Sequence, residues 1–193
     1  MASAGHLATP SPAPSTRRPG RLRVLGRRAL TVALALLIAG CTLQPSIATV
    51  APDGRVGTVA APLAGATLDG SRLSVDFLKA KTVLIFWAAW CGPCRHEQPG
   101  LNALAAEFAV NGVRFYGVDM LDHDRALARA FVAEFKVPYA SLADESGSAA
   151  ARYEVDAPPS IVLVNGKGIV VGRFPGEASE AQLRALITGK LLT

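Results

Sequence analysis

The chain has 193 residues, enough for one domain of ordinary size and a leader, and half of it is hydrophobic. Its formal net charge of +5 belongs to the start: six of the 20 Lys and Arg residues are arginines within the first 40 positions, which hold no acid, and the other 14 face all 15 Asp and Glu. A body this close to neutrality gives no support for nucleic-acid binding, which needs a basic patch on the folded domain, and three cysteines, Cys41, Cys91 and Cys94, exclude a framework of several disulfides.

Residues 1–20 are rich in Ala, Ser, Thr, Pro and Gly and are expected to be disordered, because they can bury little apolar surface. Arg21–Arg28 is a positive n-region, and Ala29–Gly40 (ALTVALALLIAG) is an uncharged apolar run. A membrane-spanning helix needs roughly 20 residues, so this run reads as a secretory h-region. Ile38-Ala39-Gly40-Cys41 resembles the bacterial lipoprotein signal, in which the chain is cut before a cysteine that accepts acyl chains. An uncleaved anchor helix, or ordinary cleavage leaving a free thiol, are the alternatives. Arg27-Arg28 weakly resembles a twin-arginine export signal. The expected organisation is a signal peptide over 1–40, a lipidated tether over 41–57 and a folded domain over 58–193, held at the extracytoplasmic face of the cell membrane by lipid on Cys41.

Within the domain, Thr67–Leu73 carries an Asp69-Gly70 turn pair and predicts a β-hairpin. Ser74–Lys79 follows as a short helix or turn. Thr82–Trp87 (TVLIFW) is apolar throughout and predicts a central strand covered on both faces. From Cys94 to Phe108, Leu101, Leu104, Ala105 and Phe108 fall on one helical face, with Asn111-Gly112 as terminator. Val113–Asp119 predicts a second strand. Arg125–Lys136 predicts a helix capped by Asp124, with Leu127, Ala130, Phe131 and Phe135 as its apolar stripe. Tyr139–Leu142 reads as a short strand and Ser146–Tyr153 as a brief helix. After Pro158-Pro159, Ser160–Val164 and Ile169–Phe174 are strands joined by the Asn165–Gly168 turn. Ser179–Ile187 is a closing helix. The order predicts an α/β domain with a mixed sheet and helices for both its faces.

The reactive segment is Trp90-Cys91-Gly92-Pro93-Cys94, between the apolar strand and the helix. Two intervening residues let the cysteines close a small ring. A helix start places Cys91 where unpaired N–H groups and the positive dipole end favour a thiolate. Pro93 suits a first turn, where no intrahelical bond is lost. Cys94 sits inside that turn, positioned to resolve a mixed disulfide. Half of a zinc site is the competing reading, but no second cysteine pair or ligand-spaced histidine pair accompanies it. A purely structural disulfide in a binding module is the third. Thiol–disulfide exchange needs no metal, flavin or nicotinamide.

Phe86–Pro99 (FWAAWCGPCRHEQP) closely resembles the active-site block of the thioredoxin superfamily, most of all its membrane-tethered TlpA/ResA-like branch, over roughly residues 58–190. The resemblance implies a thioredoxin-like fold with an N-terminal hairpin and an extra helical segment after Asp119. It implies that Cys91 attacks and Cys94 resolves, and that Pro159 is the cis-proline facing the pair. Gly92 and Pro93 complete the motif, and Trp90 shields it. Glu97 matches the branch's acidic residue, whereas the buried acid of cytosolic thioredoxins, six positions before the first cysteine, is replaced by Ile85. A carboxyl near the pair raises thiol pKa values by repulsion and offers a proton relay. The partners implied are disulfide-bearing extracytoplasmic proteins, with apocytochrome c as the family expectation, and a membrane thiol electron donor. Gly92-Pro93 resembles reducing members; an oxidase uses the same atoms in reverse.

Overall fold

The computed structural model describes residues 56–193. The leader, Cys41 and all but the end of the 41–57 tether lie outside the described residues.

Among the described residues eleven elements follow in order: β1 (Ala64–Ala66), β2 (Arg72–Ser74), β3 (Lys81–Trp87), α1 (Gly92–Ala109), β4 (Val113–Met120), α2 (Arg125–Phe135), β5 (Ser141–Asp144), α3 (Ser148–Arg152), β6 (Ser160–Val164), β7 (Val170–Pro175) and α4 (Glu180–Leu191). β1 and β2 form the expected N-terminal hairpin, with Gly65 opposite Leu73. Its turn needs Gly70, whose φ of +87° suits a residue without a Cβ. Residues 77–79 are a turn rather than a helix.

The other strands make one sheet in the order β5-β4-β3-β6-β7. β3 runs parallel to β4 and antiparallel to β6, so the sheet is mixed and its most apolar strand is central, as the sequence predicts. This is the thioredoxin-like α/β architecture. Side chains alternate across β3. Val83, Ile85 and Trp87 meet Leu101, Leu104 and Phe108 of α1, Phe131 of α2, and Leu183 and Ile187 of α4. Leu84 and Phe86 face the opposite core, with Val118, Met120, Val162 and Tyr153. Covering both faces explains why β3 is hydrophobic from Val83 to Trp87.

One helical face differs from expectation. Leu127 and Ala130 are exposed, and α2 buries Ala128 and Phe131, with Val132 and Phe135 packed beside them. Positions 128, 131, 132 and 135 have i, i+3, i+4, i+7 spacing and share Phe131 and Phe135 with the expected stripe. Phe131, common to the expected and observed stripes, stacks on the Trp87 ring at 4.5 Å. Asp124 caps α2 as expected, accepting from the amides of Ala126 and Leu127. Ser179 and Gln182 form a capping box at α4.

Pairing registers set which loops meet. Trp87 lies opposite Asp119, Phe86 opposite Ser160, and Ser160 opposite Pro175. The segments after β3, β4 and β7 and the segment before β6 therefore gather at one end of the sheet.

Candidate active site

At that end, Cys91 caps α1 and is disulfide-bonded to Cys94, with an S–S distance of 2.07 Å. Extended backbone at Cys91 (φ −82°, ψ 105°) lets its Sγ face back along the helix start, where it accepts from the amide of Cys94 at 3.2 Å. The sulfur thus occupies the place of an ordinary N-cap oxygen. When the disulfide opens, that amide and the helix dipole stabilise a Cys91 thiolate. Gly92 and Pro93 fill the first turn between the cysteines. Both cysteines are nearly enclosed, Cys91 at 3% and Cys94 at 2% exposure, while Trp90 beside them is 59% exposed.

Glu97 stands three residues beyond Cys94 on α1 and faces inward, 6% exposed. Its Oε1 accepts from the amide of Ala178 at 3.3 Å, and its Oε2 is buried without a hydrogen-bond partner among the described residues. Burial pushes its pKa up to about 7, aided by the negative charge of Glu177 and opposed by the Ala178 amide. A cleft lined by His96, Gly100, Glu177 and Ser179 reaches the carboxyl from outside. His96 is exposed, with its Nδ1 3.6 Å from Glu177 Oε1. Ile85 lies in the core between Gly117 and Ile161.

The Pro158–Pro159 bond is cis. The carbonyl of Pro159 accepts from Gly176 at 2.9 Å, and the hydroxyl of Ser160 donates to the carbonyl of Ala157, which ties this loop into the sheet end. A cleft of about 310 Å³ runs along it, between Glu154, Asp156, Pro159, Arg173 and Pro175. Arg173 flanks the cleft, donating from Nη2 to the Glu154 carbonyl at 2.7 Å.

The structure therefore assembles Trp90, Cys91, Gly92, Pro93, Cys94, Glu97 and Pro159 at one end of the sheet; Cys41 lies outside the described residues. Two carboxyls not expected there share this end. Asp119, at the end of β4, and Asp122 are both buried, and Asp122 Oδ2 accepts from the amide of Ala89 at 2.8 Å. The Asp-x-x-Asp run was readable in the sequence, but nothing local to it signals burial against a turn 33 residues earlier. No group of three or more His, Cys, Asp or Glu side chains is placed to hold a metal ion among the described residues.

Residues 46–187 match the Redoxin family. The DsbE homolog of Paracoccus denitrificans, a thiol:disulfide interchange protein, is 36% identical over 129 residues, which cover 65% of this chain and 69% of the relative. The thiol-disulfide oxidoreductase ResA of Bacillus thuringiensis is 28% identical over 145 residues, 75% of this chain and 83% of the relative. Among solved structures, MTB DsbF, determined in mixed oxidised and reduced forms, is 32% identical with a TM-score of 0.60, covering 66% of this chain and 93% of that one. Matching fold, matching sequence and a closed cysteine pair at a helix N-terminus agree. The chain belongs to the Redoxin family, as a DsbE/ResA-like thiol–disulfide oxidoreductase of the thioredoxin superfamily with Cys91 and Cys94 as its redox pair.

Proposed function

We propose that this enzyme reduces disulfides of extracytoplasmic proteins while tethered to the membrane through lipid on Cys41. Gly92-Pro93, which resembles the dipeptide of reducing members, supports the reductive direction, and Glu97 carries the exchange chemistry: a buried carboxyl of raised pKa, one turn beyond Cys94, can take and return a proton near neutral pH.

In the reduced enzyme the Cys91 thiolate attacks one sulfur of a partner disulfide. A mixed disulfide forms and the partner's other sulfur leaves as a thiolate. Cys94 then gives its proton to the Glu97 carboxylate and attacks Cys91 Sγ. The second partner sulfur leaves, the Cys91–Cys94 disulfide closes, and two electrons have passed to the partner. Glu97 returns the proton to solvent through the cleft beside His96 and Glu177. Pro159 and its cleft present the substrate chain to Cys91, and Trp90 packs over it.

The TlpA/ResA-like resemblance of Phe86–Pro99 implies an extracytoplasmic setting, apocytochrome c as a substrate and a membrane thiol donor for recharging, and the likeness to a thiol:disulfide interchange protein and a thiol-disulfide oxidoreductase supports the exchange chemistry. The Arg-rich leader, the short apolar run and Cys41 support lipid anchoring, with residues 41–57 as the tether. Among the described residues no helix is long and apolar enough to cross a membrane.

The test is the reduction potential together with insulin-disulfide reduction. A potential near the thioredoxin value of about −270 mV supports a reductase, and one near the DsbA value of about −120 mV makes it an oxidase. Cys91→Ser abolishes insulin reduction if Cys91 is the nucleophile. Cys94→Ala traps the substrate as a mixed disulfide and identifies it.

A further inference from the structure

Asp122 and the redox turn are joined by one hydrogen bond. The turn from Ala88 to Cys91 closes on itself through the Cys91 amide and the Ala88 carbonyl, at 3.1 Å. Its outward anchor is the Ala89 amide, held by Asp122 Oδ2 at 2.8 Å, while Asp122 Oδ1 accepts from the Asp124 amide at 3.2 Å. Asp122 is thus satisfied as a carboxylate by two N–H groups, although it is 3% exposed. To reach this place the chain passes through Leu121 at φ +54°, a left-handed conformation that a branched aliphatic residue adopts only under constraint.

Asp119 lies within hydrogen-bonding reach of Asp122 and is 1% exposed; its Oδ1 has no partner among the described residues. Two carboxylates in contact inside the protein cannot both be charged without a counter-ion. The charged groups acting on Asp119 are Asp122, Glu145 after β5, and Arg125 at the start of α2. Arg125 is itself ion-paired with Glu145, so it brings no net positive charge to the pair. A proton on Asp119 resolves the conflict, because a neutral acid donates where two carboxylates repel. In keeping with this, burial, and after it the Asp122 charge, raise the Asp119 pKa to about 8.

We propose that Asp119 and Asp122 form a carboxylic acid–carboxylate pair that positions the redox turn, Asp122 holding the Ala89 amide as the carboxylate and Asp119 bridging to it as the neutral acid. Both are positioning residues; neither meets the reacting sulfurs. Loss of the Asp119 proton at alkaline pH puts a second charge beside Asp122, drives the carboxylates apart and loosens the turn that carries Trp90 and Cys91. This deepens the oxidoreductase reading and rests on it for its catalytic consequence.

The experiment uses the full chain in its oxidised form, where neither Cys91 nor Cys94 titrates, carrying Glu97→Gln to remove the other buried carboxyl of raised pKa. Labelling with 5-fluorotryptophan gives two ¹⁹F resonances, for Trp87 and Trp90, assigned with Trp90→Phe. Between pH 6 and 9.5 the expected result is one step near pH 8, absent in Asp119→Asn and in Asp122→Asn. A step that persists in both Asn variants, or no step at all, overturns the pair. In the wild-type background at pH 7, Asp122→Ala should slow insulin reduction on the order of tenfold, because displaced reacting groups forfeit orientation. Asp122→Asn, which keeps an oxygen for the Ala89 amide, should recover most of that loss. An Ala variant as fast as wild type, or an Asn variant as slow as Ala, counts against positioning. A wild-type chain inert toward insulin at every pH would sink the reductase reading alone, since the ¹⁹F titration of the oxidised chain needs no turnover.

Discussion

The guanidinium of Arg95 lies 4.9 Å from the ring centroid of Phe135, joining the residue after Cys94 to the last residue of α2. The same group stands 5.7 Å from Phe131 and is ion-paired with Glu134. The helix inserted after Asp119 is thereby fastened to the helix that carries the redox pair. Phe131 continues the contact to Trp87 at the end of β3.

Arg95→Ala should cost about 1 kcal/mol in denaturant unfolding, from lost cation–π contact and lost packing of the side-chain stem. Arg95→Lys should recover only part of it, because an ammonium lacks the planar group that lies over both rings. Equal midpoints for all three chains would show that α2 is held without Arg95.

Glu97 makes stability depend on pH in a defined direction. Its pKa rises from 4.5 to about 7 on folding, so the folded state keeps a proton that the unfolded chain gives up. The stability tied to that proton is fully present below about 4.5 and is lost as pH rises through about 7. Glu97→Gln should match the wild type at pH 4 and exceed it at pH 8, by about 1–3 kcal/mol in the oxidised state. The same variant should flatten the rate profile of insulin reduction near pH 7. Urea unfolding at the two pH values checks the first expectation, and a wild-type advantage at pH 8 would refute it.

Gly117 is required by close approach. A Cβ there would stand 2.1 Å from Ser141 Oγ and 2.7 Å from Trp87 Nε1, the two atoms that share a hydrogen bond at 3.3 Å. Gly117→Ala should therefore destabilise by about 1–3 kcal/mol, as overpacking of a close-packed interior does. Thermal melting of the oxidised protein measures it. A neutral result would mean that Ser141 yields freely.

Trp90→Ala separates folding from partner contact. The side chain is largely exposed, so stability should change by no more than about 0.5 kcal/mol. An exposed aromatic beside a reactive pair is a good anchor for a partner, and KM for insulin should rise several-fold. Unchanged KM, with kcat reduced instead, would assign Trp90 to the chemistry rather than to docking.

The chemistry of Cys91 and Cys94 was legible without a fold, because it is local: two residues between cysteines at a strand-to-helix junction place one sulfur at the N-cap. The central position of β3 was legible for a similar reason, since only a strand covered on both faces tolerates TVLIFW. So was the Asp124 cap, whose partners lie within three residues. What tertiary structure alone decided are relationships between distant residues. On α2, Phe131 and Phe135 pack inward as expected, but Ala128 and Val132 take the places expected of Leu127 and Ala130. Glu97 is buried rather than solvent-facing because the Ala178 loop, 81 residues later, covers it. Asp119 and Asp122 look like ordinary polar ends of a strand until parallel pairing sets Asp119 beside Trp87 and a left-handed Leu121 turns Asp122 onto Ala89. Sequence fixes which groups can react, through bonds a few residues long. Burial, which sets when a carboxyl holds its proton, is a property of the packed whole.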